Sequence, residues 1–161
     1  MEQKMKIAVL GGGTMGPGIA VSYALGGHPT TVYSRSEKTV TRAESVGRSS
    51  LSLFVEEGMI TGQQMEEAMA LLRFSTNLDE SVSGCGYIAE TIVEKPDAKQ
   101  ELYEKLDAIL PADVIIAKGM GNTESMYGCG YNVYYAFLVK CARLSSYFHQ
   151  PLMTPMLVHD A

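Results

Sequence analysis

The feature that most constrains this chain is the glycine-rich stretch VLGGGTMGPGIA at residues 9–20. It overlaps the end of a short apolar run, KIAVLG, whose β-branched residues predict a buried strand. Beyond the glycines, apolar residues recur at helical spacing, which predicts a helix that stops at Gly26 and Gly27. The helical positions are Ile19, Ala20, Tyr23 and Ala24.

Gly11, Gly13 and Gly16 form the pattern G-x-G-x-x-G between the predicted strand and helix. The first glycine of this pattern permits a tight turn, the second lets a pyrophosphate approach the backbone, and the third lets helix and strand pack closely. The helix N-terminus then offers N–H groups to the phosphates. A turn that merely packs is the alternative, but the position after a strand favours a dinucleotide site, which includes Thr14 and Met15.

The rest of the first 117 residues alternates strand and helix patterns. Further strands are predicted in TTVYS (30–34), YIAETIV (87–93) and DVIIA (113–117). Helices are predicted from the cap Ser36 to Gly58, from TGQQ (61–64) to Leu72, and from Pro96 through Leu102, Leu106 and Ile109. In the helix predicted from Ser36 to Gly58, the buried stripe consists of Val40, Ala43, Gly47, Leu51, Phe54 and Val55. This alternation predicts an α/β fold, a Rossmann-type, doubly wound and mainly parallel sheet.

Length and charge narrow the class of protein. A chain of 161 residues can bury one sizeable core, and its net charge of −5 argues against nucleic acid and anionic membranes as partners. No apolar run reaches the length of a transmembrane helix. The three cysteines are widely separated and lack metal-ligand spacing, so we expect no metal site and reduced thiols in the cytoplasm.

The end of the second predicted strand bears on the choice of dinucleotide. An Asp or Glu there binds the ribose 2′-OH of NAD, while an Arg accommodates the 2′-phosphate of NADP. The sequence has Ser34 at the acid's position, Arg35 next to it, and Glu37 close by. Arg35 is also explained as a solvated loop residue or as a stacking partner for adenine, so NAD and NADP both stay open.

From Lys118 the composition of the sequence changes: a glycine-rich loop is followed by a segment rich in aromatic residues. We predict a dinucleotide-binding core at 1–117 and a divergent C-terminal segment at 118–161 that completes or covers the same domain. The stretch YNVYYAFLVKCARL fits a strand or a helix, and periodicity does not decide between them.

Several motifs together resemble the N-terminal domain of the 3-hydroxyacyl-CoA dehydrogenases, almost continuously from Lys6 to Ala117. They are KIAVLGGGTMGPGIA, VYSRSEKT, FVEEGMIT, AETIVEKPDAKQELYEKLD and ADVIIA. The resemblance implies that the glycine loop binds the pyrophosphate of NAD. It also implies that Glu94 and Lys99 contact the nicotinamide half, whereas Ser34 departs from the Asp that is usual in the family. The implied reaction is hydride transfer between an acyl-CoA 3-hydroxyl carbon and the nicotinamide, a step of fatty acid metabolism.

The catalytic positions of that family are not matched in residue type. The resemblance aligns Asn122 with the Asn of the substrate-binding Ser-Asn-Thr-Ser motif, although the loop can also be aligned in other ways. In YFHQPLMTPMLVH, Tyr147 falls where the family has its catalytic His, and His159 where it has the orienting Glu. A Tyr with a pKa near 10 is a poor base at neutral pH, and we expect His159 to be a frayed, exposed residue. His149 lies two residues from Tyr147, and strand alternation would give the two side chains different depths.

The family's helical C-terminal domain has no counterpart in these 161 residues. We therefore expect a truncated form, a divergent or frame-shifted product, or a free-standing module. Two functions compete: a dehydrogenase acting on acyl-CoA such as 3-hydroxybutyryl-CoA, and an inactive nucleotide-binding or subunit-interaction module. Apolar residues in Tyr131–Val139 and PLMTPMLV predict self-association into a homo-oligomer.

Overall fold

The computed structural model describes residues 4–93, 95–110, 115–118, 127–128 and 133–160. The chain divides into two compact units, Met1–Ile92 and Val93–Ala161. The first unit contains a four-stranded sheet and the second a three-stranded sheet. The domain organisation expected from the sequence, with its division after residue 117, stays a prediction, because most of residues 111–132 lie outside the described part.

Four strands form a parallel sheet in the first unit, in the spatial order β3-β2-β1-β4. They are β1 (Ile7–Leu10), β2 (Thr30–Tyr33), β3 (Leu72–Ser75) and β4 (Tyr87–Glu90). In register, Leu10 lies opposite Tyr33 and Glu90, and Tyr33 lies opposite Ser75. The carboxyl ends of the strands therefore meet at one edge of the sheet. The predicted Rossmann-type α/β fold is confirmed.

Four helices connect these strands, and their caps follow from the sequence. They are α1 (Gly16–Leu25), α2 (Glu37–Glu56), α3 (Gly62–Leu71) and α4 (Leu78–Val82). The Ser36 side chain accepts from the Thr39 N–H at the start of α2. Thr61 and Gln64 form both bonds of the predicted capping box at the start of α3.

The core of the first unit lies around β1, whose four residues are all buried. A strand without polar alternation is stable only where both faces are covered, as in a parallel sheet with helices. Within the predicted stripe of α2, Ala43, Gly47 and Leu51 are buried, while Val40, Phe54 and Val55 are half-buried at its margin. This burial confirms the helical periodicity of the stripe.

The second unit contains α5 (Pro96–Ile109), β5 (Ile115–Lys118), β6 (Val133–Leu138), α6 (Ala142–Phe148) and β7 (Pro155–Asp160). Strand β6 pairs in parallel with β5 and antiparallel with β7. The stretch 131–144, which periodicity left open, contains both a strand and the first turn of a helix. Residues 139–141 separate the two.

Three local expectations were wrong. The α3 helix ends at Leu71, because Leu72 begins β3, a strand that the sequence analysis did not predict. The strand predicted over 87–93 ends at Glu90. The strand predicted over 113–117 continues to Lys118, and residues 113 and 114 lie outside the described part. The short helix α4, capped by Asn77, was also missed because five residues are too few to show a helical period.

Candidate functional site

The first glycine of the loop after β1 adopts a conformation that suits only glycine. Gly11 has a φ of +127°, which L-amino acids with a side chain rarely adopt. A Cβ at Gly11 would also lie 2.7 Å from Oγ1 of Thr91. The Gly11 N–H donates to the Tyr33 carbonyl over 2.9 Å. The loop is thus tied to the end of β2 as it leaves the sheet.

The third glycine of the pattern is the first residue of α1. A Cβ at Gly16 would overlap the Gly11 carbonyl oxygen and would lie 3.0 Å from Thr91 Oγ1. Helix α1 therefore begins closer to the strand end than any side chain at this position permits. This is the close helix–strand packing that the sequence predicts for the third glycine.

The second glycine leaves open space where a ligand is expected. No heavy atom within 4 Å would meet a Cβ at Gly13 among the described residues, and Thr14 and Met15 are exposed beside it. No side chain caps α1 at Met15, and no acidic residue lies in the first turn. The first-turn N–H groups and the positive end of the helix dipole are thus left for an anion. The diphosphate of a dinucleotide fits this arrangement.

The end of β2 presents a buried hydroxyl and an exposed guanidinium. Ser34 is 3% exposed, and its Oγ has no hydrogen-bond partner among the described residues. The Ser34 Oγ lies against Gly12, where any Cβ would collide with it. Arg35 is exposed, and the nearby Glu37 accepts a hydrogen bond from the Thr76 hydroxyl over 3.1 Å.

The end of β4 holds the glycine loop through Thr91, which the sequence analysis did not single out. The Thr91 N–H donates to the Leu10 carbonyl over 2.8 Å. The Thr91 hydroxyl lies 3.2 Å from the Leu10 carbonyl oxygen and 3.0 Å from that of Gly11, so it donates to the loop itself. A threonine directly after β4, in the stretch AETIV, was the available signal.

The two residues assigned to the nicotinamide half stay predictions. Glu94 lies outside the described residues. Lys99 lies on α5 in the second unit and is 1% exposed. A fully buried lysine is uncommon and is usually paired. Glu90, the last residue of β4, accepts a hydrogen bond on its side chain from the Ile92 N–H over 2.6 Å.

The two residues that the sequence analysis placed at catalytic positions lie on different elements of the second unit. Tyr147 is near the end of α6, 64% exposed, with its ring 5.9 Å from that of Tyr127. His159 lies on β7 and stacks on Tyr134 at 4.3 Å. It is exposed, as expected from the sequence, but it is not frayed. Because Tyr147 is helical, the expected strand alternation with His149 was also wrong: His149 ends the helix with a φ of +52°. Asn122 lies outside the described residues.

The shifted pKa values of the first unit belong to groups away from the glycine loop. Burial raises the pKa of Tyr23 to about 12, and the Tyr87 hydroxyl beside it adds to the shift. Burial also raises the pKa of the Cys85 thiol, and Lys6 partly opposes this. Tyr87 begins β4 and Cys85 precedes it, so these groups lie at the amino edge of the sheet.

Metal and membrane sites were also sought. Across the described ranges, no three His, Cys, Asp or Glu side chains cluster as metal ligands would. None of the helices that the structure describes is long and apolar enough to span a membrane.

Sequence comparison reveals relatives over the same region. A family model described as 3-hydroxyacyl-CoA dehydrogenase, NAD binding domain, matches residues 6–126. A 3-hydroxybutyryl-CoA dehydrogenase of Mycobacterium tuberculosis is 31% identical over 122 residues, which are 75% of this chain and 41% of that protein. One from Clostridioides difficile is 30% identical over 122 residues, 76% of this chain and 42% of that protein. The chain thus spans less than half of the length of these relatives.

Comparison with solved structures supports the fold. The 3-hydroxybutyryl-CoA dehydrogenase of Escherichia coli K12 superposes with a TM-score of 0.70 at 24% identity, over 88% of this chain and 31% of that one. The (S)-3-hydroxybutyryl-CoA dehydrogenase of Ralstonia eutropha gives 0.70 at 22% identity, over 84% and 50%.

Proposed function

The chain belongs to the 3-hydroxyacyl-CoA dehydrogenase family through its NAD-binding domain, and from that premise we propose that it holds the dinucleotide for oxidation of a 3-hydroxyacyl-CoA. The substrate class we propose is a short acyl chain such as 3-hydroxybutyryl-CoA. The observation that carries the proposal is the glycine loop, in which Gly11 has a positive φ, Gly13 faces open space and Gly16 permits close packing.

In this proposal each described group has a binding or positioning role. The backbone N–H groups from Gly13 to Gly16, at the start of α1, bind the diphosphate. Thr91 holds the loop through its bonds to the Leu10 and Gly11 carbonyls. The bound dinucleotide supplies or accepts the hydride. Glu94 and Lys99 are proposed for the nicotinamide half, and Asn122 for the substrate oxygen, on the resemblance alone.

Titration with NADH and NADPH, by fluorescence or calorimetry, tests the proposal. Gly13→Ala places a methyl group in the space where the diphosphate approaches, so we expect binding to weaken by about tenfold or more with an unchanged melting temperature. Gly18→Ala is the matched control, since its Cβ also meets nothing within 4 Å but lies beyond the loop. Failure of the wild-type chain to bind either dinucleotide at millimolar concentration would overturn the proposal.

A second function, an inactive nucleotide-binding or subunit-interaction module, is favoured by the residues at the catalytic positions. Tyr147 is largely exposed and His159 stacks on Tyr134, in place of the family's His and Glu. Reduction of acetoacetyl-CoA by the purified chain distinguishes the two functions. A rate typical of a dehydrogenase would exclude the inactive module.

We also propose self-association through the second unit, in a reducing cytoplasm. Among its described residues, the exposed large apolar side chains include Tyr147, Leu152, Met153 and Leu157. Apolar surface of this kind tends to be covered by a partner. Light scattering should show a dimer for the wild-type chain and a monomer for Leu157→Lys. A monomeric wild type would contradict this proposal without affecting the cofactor site.

A further inference from the structure

The end of β2 does not present the acceptor that NAD needs for its adenosine ribose. In dinucleotide-binding folds a carboxylate at this point accepts from the ribose 2′-OH. Here the residue after β2 is Ser34, 3% exposed, with its Oγ turned toward Gly12 of the glycine loop. Because a hydroxyl is uncharged and this one is buried, it offers a ligand neither charge nor surface.

The carboxylate of Glu37 is held on the other side of β2. Its Oε1 accepts from the hydroxyl of Thr76, which directly follows β3. In the sheet order β3-β2-β1-β4, β3 and the glycine loop after β1 lie on opposite sides of β2. Glu37 is therefore engaged away from the loop that binds the diphosphate.

Positively charged groups lie at the end of β2, where a carboxylate would otherwise bind the ribose. Arg35 follows Ser34, is exposed, and forms no ion pair among the described residues. Helix α2 begins two residues later and runs for 20 residues, so its positive dipole end lies at the same strand end. Ser36 caps only the Thr39 N–H, and the N–H groups before it in the first turn have no intrahelical acceptor.

We propose that this site takes an adenosine 2′-phosphate, so that the chain binds NADP(H) in preference to NAD(H). The Arg35 guanidinium and the first turn of α2 hold the phosphate. Ser34 stands where a carboxylate would repel that phosphate, and its side chain is uncharged and buried. This inference rests on the proposed function, since it concerns the same dinucleotide at its ribose end.

Parallel titrations with NADPH and NADH test the preference. We expect NADPH to bind about tenfold more tightly than NADH, the effect of one charge-assisted hydrogen bond. Arg35→Ala should remove that advantage and leave the NADH affinity within about twofold. Arg48→Ala is the control, because Arg48 is also exposed on α2 but lies three turns from its N-terminus.

A fragment separates the phosphate from the rest of the cofactor. The compound 2′,5′-ADP should compete with NADPH more strongly than 5′-AMP does, and its advantage should fall with added salt. The NADP preference is overturned if NADH binds as tightly as NADPH or more tightly. It is also overturned if Arg35→Ala weakens the binding of both dinucleotides alike. Either result leaves the proposed function standing. If neither dinucleotide binds, the proposed function fails as well.

Discussion

The two units of the chain differ in what their proposed roles require of the sequence. In the first unit, a dinucleotide needs backbone N–H groups at the start of a helix. Three glycines and Thr91 position these groups at the carboxyl edge of the sheet. In the second unit, proton transfer needs particular side chains, and the positions that we predict to be catalytic hold Tyr147 and His159. A binding site built from backbone N–H groups is retained when side chains around it change. Acid–base catalysis, in contrast, is lost when its one essential side chain is replaced.

The largest expected effect concerns the second unit and its catalytic rate. Loss of a general base commonly costs 10²–10⁴ in rate, so the purified chain should reduce acetoacetyl-CoA at least ~10³-fold more slowly than a family member that has the catalytic His. Steady-state NADH consumption measures this difference. Tyr147→Phe and His159→Ala should leave the residual rate unchanged, and a fall in either variant would assign that side chain a role in the reaction.

The next effect concerns the stability of the first unit. Gly16→Ala forces a Cβ onto the Gly11 carbonyl, so we expect the free energy of unfolding to fall by about 2–3 kcal/mol, as in other overpacked sites. Gly18→Ala is the matched control two residues along α1. It should raise stability by up to about 1 kcal/mol, because alanine favours a helix over glycine. Urea denaturation compares them, and equal stabilities would contradict the close packing at Gly16.

The sequence predicted the first unit better than the second for a physical reason. A buried parallel strand, a glycine turn and a capped helix are each specified by neighbouring residues, as at residues 7–25 and at Thr61–Gln64. Strand β3 was missed because LRFS is short and continues the helical pattern of α3 without a break. Its strand form depends on pairing with β2, which is distant in sequence.

The candidate site shows the same limit. The glycines were predicted because φ and close packing restrict those positions to one residue type. Thr91 was not, since a hydroxyl that bonds a carbonyl 80 residues earlier in the chain leaves no periodic signal. In the second unit, residues 131–144 contain a strand and part of a helix. The pairing of β6 with β5 and β7 determines which residues form the strand.

A smaller effect is expected at Thr91, which links β4 to the glycine loop. Thr91→Val keeps the shape of the side chain and removes the hydroxyl that donates to Leu10 and Gly11. One hydrogen bond contributes about 1 kcal/mol, so we expect stability to fall by that amount and dinucleotide affinity by up to about fivefold. The control is Thr41→Val, which removes an exposed hydroxyl that donates to the Glu37 carbonyl within α2. This variant should bind the dinucleotide as the wild type does. Equal affinities for the two variants would remove Thr91 from the site.

The smallest effect is the pH dependence that Tyr23 gives to the first unit. Burial raises the pKa of Tyr23 to about 12 from an ordinary value of 10.0, with help from Tyr87. The folded state therefore favours the protonated phenol. Its contribution to stability is complete below pH 10 and is lost as the pH rises through about 12.

Urea denaturation of the wild type and of Tyr23→Phe at pH 8 and pH 11.5 measures this contribution. The wild type should lose more stability over that interval than the variant, which has no phenol to ionise. NADH affinity at pH 8 should be the same in both proteins, because the Tyr23–Tyr87 pair lies at the amino edge of the sheet and the glycine loop at the carboxyl edge. A variant that binds NADH more weakly would show that the two edges of the sheet are coupled.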